Sequence, residues 1–186
     1  MSGAAHDARG TNPTRVVVVT TQPPRIVVMG VAGSGKSTVG TLLAEALGVE
    51  FGEGDDFHPA ANVAKMAAGN GLNDEDRAPW LDALVAWLAE RPAAVLSCSA
   101  LKQGYRDRLR EAAPDLFFVH LAAPRAELKR RLTSRRGHFM SVDMLDSQLS
   151  VLRPLSADEA GITLDATLPP GELVEQTRSA LPSGVV

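Results

Sequence analysis

Residues 30–37 read GVAGSGKS, a full match to GxxxxGK[ST], and they stand between an apolar run at 26–29 and a helical pattern over Lys36–Leu47. This placement constrains the fold more than any other feature, because such a loop works only as a strand-to-helix turn. Gly33 and Gly35 let the backbone curl so that successive N–H groups face inward, and the helix N-terminus adds its dipole. A nest of this kind takes phosphate oxygens. The loop is therefore read as a nucleotide site made by Gly30, Val31, Ala32, Gly33, Ser34, Gly35, Lys36, Ser37 and Thr38. Lys36 is expected to bridge the β- and γ-phosphates and Ser37 to ligate Mg²⁺ through its hydroxyl, which makes ATP and Mg²⁺ the expected cofactors.

Around this loop the chain alternates short apolar runs, at 26–29, 49–52, 94–97, 116–120 and 162–164, with longer helical patterns. Such alternation is the mark of βαβ units, so the expected fold is α/β, a P-loop three-layer sandwich on a five-stranded parallel sheet. The helix over Lys36–Leu47 places Val39, Leu42, Leu43, Ala46 and Leu47 on the face toward the sheet, with Gly48 as its stop. Pro59 opens a helix ending near Gly69, and Trp80, Leu81, Leu84, Val85 and Leu88 mark another. Further helices are expected at 124–135, at 141–152 with Pro154 closing it, and at 170–181. Residues 1–24 mix Gly, Ala, Thr, Asn and Pro and read as a disordered leader, with an added edge strand at 16–19 as the alternative; the P-loop domain is then 25–186.

Length and charge remove several function classes. A chain of 186 residues suits one domain with a substantial core. The net charge of −3 and a pI near 5.8 leave no basic excess for a nucleic-acid backbone. A single cysteine, Cys98, cannot close an internal disulfide, and no CxxC or Cys/His cluster is present. Cys98 is read as a small buried residue without chemistry. With no signal-peptide pattern and no apolar stretch long enough to span a bilayer, the expected setting is the cytoplasm.

The second strand runs into Gly52-Glu53-Gly54-Asp55-Asp56-Phe57-His58-Pro59, which sets three carboxylates and an imidazole at the carboxyl edge of the sheet, where ligands bind. Asp55 is the candidate base for an attacking hydroxyl, an acidic helix cap being the plainer alternative for any single carboxylate. The third strand carries no acidic residue at its end, which shifts metal duty toward Ser37, Glu53 and Asp55. Lys65, Arg77, Lys102 and Arg106 make the acceptor region locally basic and suit an anionic acceptor, while Arg108 and Arg110 read as a solvated helix face. Lys129, Arg130, Arg131, Arg135 and Arg136 lead into Gly137-His138, the pattern of a helical lid; Arg131 and Arg135 are the candidates for stabilising transition-state charge.

Taken with GVAGSGKS, the segments EGDDFHP, KMAAGNGLNDEDRAPWL from Lys65, SCSALKQGYRDRLR from Ser97 and RRGHFM from Arg135 closely resemble the gluconokinase family, over residues 25–181. The resemblance implies phosphorylation of D-gluconate at its 6-hydroxyl by Mg-ATP, giving 6-phospho-D-gluconate and ADP, on a nucleoside-kinase-like fold that is often a homodimer. Carried over by motif, Asp55, His58, Lys65, Arg77, Ser99, Lys102, Arg106, His138 and Gln148 surround the acceptor, and Ser37 with Glu53 holds the metal. Residues 155–165 resemble the segment beside adenine. Two departures stand out: Glu53 occupies a usual aspartate position, and Asp56 a commonly apolar one, so both Asp55 and Asp56 stand as bases.

Competing readings fare worse. A shikimate kinase relative would need a glycine-triplet substrate loop and a GTPase an NKxD motif, and both are missing. A nucleoside monophosphate kinase fits the lid arginines. A regulatory module without turnover would have no use for Lys36, Asp55 and those arginines together.

Overall fold

The computed structural model describes residues 24–134 and 142–182. Residues 1–23 of the expected leader 1–24, and the expectations for Arg135, Arg136 and His138, lie outside the described residues. Five strands, β1 (Arg25–Met29), β2 (Glu50–Glu53), β3 (Ala94–Cys98), β4 (Phe117–Ala122) and β5 (Gly161–Asp165), form one parallel sheet in the order β2-β3-β1-β4-β5. β1 lies centrally, Val28 pairing with Ser97 on one side and Val119 on the other.

Strands covered on both faces must be apolar throughout, and β1 shows why. Ile26 and Val28 enter one core with Val39, Leu43, Leu173 and Val174, from α1 (Lys36–Leu47) and α7 (Pro170–Ala180). Val27 and Met29 enter the other core with Trp80, Leu84, Leu88 and Leu109, from α3 (Asp74–Ala89) and α4 (Gln103–Ala112). These are the three expected layers. A third cluster joins Val31 and Ala32 of the loop to Leu128 and Leu132 of α5 (Arg125–Ser134) and Leu145 of α6 (Val142–Val151).

Local chemistry accounts for the element ends. Asn73 caps α3 by accepting from the Asp76 amide while the Asp76 carboxylate accepts from the Asn73 amide, a reciprocal capping box. This starts α3 at Asp74, well ahead of Trp80, the first residue of the apolar pattern that marked it. Gly48 ends α1 in the left-handed region at φ 65°. The helix α2 (Ala60–Ala67) follows Pro59 as expected.

Two expectations need correction. The buried side of α1 is Val39, Gly40, Leu43 and Ala44, whereas Leu42 is 38% exposed and Ala46 is on the open side. Gly40 belongs to the packed face because a Cβ there would lie 2.6 Å from the Phe51 ring, so that α1 sits closer to the sheet than a side chain allows. Arg106, read as part of a basic pocket, points into the interior from the helix α4, whose Arg108 is exposed as expected.

Candidate active site

The loop after β1 has the geometry that phosphate requires. Gly33 and Gly35 take φ values of 81° and 96°, open to glycine and costly for other residues. Gly35 caps α1 with no side-chain bond to the first-turn amides, and a Cβ placed on it would meet nothing within 4 Å. The first-turn N–H groups of α1 thus take no side-chain cap. The Ser34 hydroxyl is buried and has no hydrogen-bond partner among the described residues. Lys36 folds over the loop, its ammonium donating to the Val31 carbonyl at 3.1 Å. These features fit a nucleotide's phosphate chain.

The neighbouring edge is pinned by one tryptophan. Trp80 Nε1 donates to the Gly54 carbonyl at 2.7 Å, and the His58 ring stacks on the same indole at 4.8 Å between centroids. Gly54 lies so close to β3 that a Cβ would stand 2.2 Å from the Ser97 carbonyl oxygen. Thus the 3₁₀ turn (Gly54–Phe57) that carries Asp55 and Asp56, both exposed, is fixed at both ends of its first residue. Burial pushes the His58 imidazole below its ordinary range, Asp55 opposes that shift and Arg77 adds to it. The His58 amide donates to the Asp55 carbonyl at 3.3 Å. Asn62 Nδ2 lies 3.4 Å from His58 Nδ1.

β3 supplies an orienting hydroxyl in place of an acid. Ser97 Oγ donates to Glu53 Oε1 at 2.6 Å, holding that carboxylate at the sheet edge. Lys36, Asp55 and Glu53 all act electrostatically on the Cys98 thiol, although burial dominates and pushes it up to about 12. Cys98 is thus an inert thiol at neutral pH, as expected. Among the described residues no group of three or more His, Cys, Asp or Glu side chains is arranged to hold a metal. A hydroxyl and a carboxylate are nevertheless the hard oxygen donors that suit Mg²⁺, which keeps few protein ligands beside substrate phosphates.

Beside this edge lies a cavity of about 520 Å³, lined by Leu72, Asp74 and Arg77 of the α3 end, Ser99, Lys102 and Tyr105 of the α4 end, and Gln148 of α6, among others. Four of the expected acceptor residues, Arg77, Ser99, Lys102 and Gln148, come together here. The Lys102 ammonium donates to both oxygens of Asp74 at 2.6 and 2.7 Å, and the Tyr105 hydroxyl donates to the same carboxylate. Sequence reasoning assigned no site role to Asp74 or Tyr105, although both lie in the segments that carry the family resemblance. The signal was the match of Asp74 to Lys102 across two helix starts. Arg77 Nη1 donates to the Leu72 and Asn73 carbonyls, and its charge helps to hold the Asp74 and Asp76 carboxyls below their ordinary range.

Other expected residues are placed elsewhere. Lys65 is ion-paired to Asp76 at 2.5 Å and does not line the cavity. Arg106 is a correction: it is fully buried, bonded through Nε and Nη2 to Glu159 at 2.6 and 2.8 Å, and through Nη1 and Nη2 to the carbonyls of Ala100, Arg153 and Pro154. All five of its donors are taken, so none is left for an acceptor. Arg131 is held by Glu127 at 2.6 Å and by the Ala166 carbonyl at 2.7 Å, tying α5 to the residue that follows β5. Gln148 Oε1 accepts from the Ala32 amide of the loop at 2.7 Å.

A glycine loop between the first strand and first helix of a five-stranded parallel sheet, with a charged cavity at the same sheet edge, defines a P-loop small-molecule kinase. The family model described as an AAA domain matches residues 26–144. The gluconokinase of Gluconobacter oxydans (strain 621H) is 46% identical over 159 residues, 83% of this chain and 89% of that protein. The thermoresistant gluconokinase of Escherichia coli (strain K12) is 41% identical over 163 residues, 85% of this chain and 93% of its own length. A solved gluconokinase from Sinorhizobium meliloti 1021 superposes with a TM-score of 0.80 at 46% identity, covering 85% of this chain and 91% of that one. The chain belongs to the gluconokinase family.

Proposed function

We propose that this protein transfers the γ-phosphoryl group of ATP to the 6-hydroxyl of D-gluconate, giving 6-phospho-D-gluconate and ADP. The observation that carries the reading is the cavity holding Arg77, Ser99, Lys102 and Gln148 beside the phosphate loop. Its cations suit a carboxylate, and its carboxylate, hydroxyl and amide groups suit a polyhydroxy chain. His58 links this cavity to the candidate base, since its amide donates to the Asp55 carbonyl and its ring stacks on Trp80, about one turn along α3 from Arg77.

In this mechanism the loop amides and Lys36 hold the phosphates, and Asp55 accepts the proton of the attacking hydroxyl, with Asp56 as the alternative base. Positioning and charge stabilisation then carry the catalysis, since phosphoryl transfer asks little covalent chemistry of the protein. Mg²⁺, held through Ser37 and the Glu53 carboxylate that Ser97 orients, would offset phosphate charge when bound. Arg135 and His138 belong to the same proposal as the lid cation and an acceptor contact. A cytoplasmic homodimer is the expected state, read by light scattering after size exclusion; no helix among the described residues is long and apolar enough to cross a membrane.

The test measures ADP release from Mg-ATP with D-gluconate, L-idonate, shikimate or AMP as acceptor, with phosphorus NMR on the product. Stimulation by D-gluconate and a phosphate monoester on its primary carbon are expected. Stimulation by another acceptor alone would overturn the substrate.

A further inference from the structure

Gln148 touches both halves of the site, and its orientation is fixed by chemistry. The Ala32 amide is only a donor, so the carboxamide atom 2.7 Å from it is the oxygen. The Nε2 end, with two donors, is then turned away from the phosphate loop on a side chain that lines the acceptor cavity, and it has no partner among the described residues. The helix carrying it is well held. Leu145 is fully buried against Val31 and Ala32, the Arg125 guanidinium grips Asp146 with two bonds of 2.6 Å, and the Arg153 amide donates to the Leu101 carbonyl at 2.8 Å. An amide bonded at both ends on a held helix transmits a constraint from one ligand to the other.

We propose that Gln148 is a positioning residue that couples the two sites. An acceptor oxygen taking a hydrogen bond from Nε2 fixes the carboxamide, which in turn fixes the Ala32 amide and the loop that receives the phosphates. Each ligand then binds more tightly when the other is present, because coupling between sites is reciprocal. The chained bonds also polarise one another, so the Ala32 contact strengthens when Nε2 is engaged. This rests on the gluconate reading above and adds to it a role for the amide beyond contact with the acceptor.

The test is calorimetric. Affinity for a non-hydrolysable ATP analogue with Mg²⁺ is measured with and without saturating D-gluconate, for the wild type, Gln148→Met and Gln148→Glu. Wild type should show a gain of about fivefold or more, the lower end of ordinary couplings. Gln148→Met removes both ends of the link at similar volume, and Gln148→Glu keeps the oxygen for Ala32 while removing the donors. Both should bring the factor to about one, with D-gluconate still saturating at higher concentration, and thermal unfolding checks that each variant is folded. No gain in a wild type that turns over D-gluconate overturns the coupling alone, as does a full gain in either folded variant. A wild type that neither binds nor phosphorylates D-gluconate overturns the substrate reading first and this proposal with it.

Discussion

The fully buried pair of Arg106 and Glu159 is the place where a single substitution should cost this fold most and tell most about the site. Both side chains are 0% exposed. The Arg106 guanidinium joins α4 to the Ala100 carbonyl at 3.1 Å and to the Arg153 and Pro154 carbonyls at 3.1 and 3.2 Å. Ala100 sits in the left-handed region at φ 43°, so this arginine also holds a strained turn between the cavity residues Ser99 and Leu101. Burial by itself would raise the Glu159 carboxyl, but Arg106 and the amide and hydroxyl of Ser156 outweigh it and hold the group at about 2. Replacing Arg106 with Met leaves that carboxylate buried and unpaired, a loss of about 3–5 kcal/mol. For a chain of this size that is a fall in melting temperature of roughly 6–20 °C. The double variant Arg106→Met with Glu159→Met should recover part of the loss, since no charge is then stranded. Differential scanning calorimetry with gluconate kinetics on the same samples separates the two roles available to Arg106. A folded Arg106→Met protein with an unchanged melting temperature and a raised KM for D-gluconate would refute the buried-clamp reasoning and return this arginine to the acceptor site.

Three further outcomes follow from the geometry. Asp55→Asn should lower kcat on the order of 10²–10⁴-fold while both KM values stay within a few-fold, by steady-state kinetics; an unchanged kcat would move the base role to Asp56. Gly54→Ala forces a Cβ to within 2.2 Å of the Ser97 carbonyl oxygen, so it should destabilise the protein by about 1–3 kcal/mol in urea and displace the turn that carries Asp55; a neutral substitution would mean that β2 and β3 are less closely packed there. Burial first, then the charge of Arg106, holds the His120 imidazole below its ordinary 6.5, so between that lower value and 6.5 the unfolded chain binds more protons than the folded one. Stability is accordingly whole above 6.5 and lost as the pH falls below it. His120→Gln should flatten the drop in melting temperature between about pH 7 and about pH 5, with His58, also held low by burial, retaining part of the slope; a slope unchanged from wild type would mean that the ring is not kept neutral by the fold.

Much of the architecture was legible because it is written in local patterns. The phosphate loop is a run of consecutive residues whose glycines are dictated by backbone angles, and the inner strands β3, β1 and β4 are mostly apolar runs because both their faces are covered. Helix edges were less legible. α3 begins at a capping box ahead of its apolar stripe, and α1 packs through Gly40 and Ala44, residues that a hydrophobic pattern does not weigh. In the site, the motif placed Arg77, Ser99, Lys102 and Gln148 where the cavity has them.

What the sequence by itself determined is the class of chemistry, since a loop of fixed spacing between a strand and a helix already specifies where phosphate goes. Which cations line the cavity and which serve the fold was decided only by tertiary structure. Lys65, Arg77, Lys102 and Arg106 look alike as basic residues on or beside helices, yet Lys65 meets Asp76, Lys102 meets Asp74, and Arg106 meets Glu159 from 53 residues away. The Ala32 to Gln148 bond spans 116 residues. A charged or polar side chain takes its role from the partner that packing brings to it, and for partners this distant in the chain only the folded sheet and its helices bring them together.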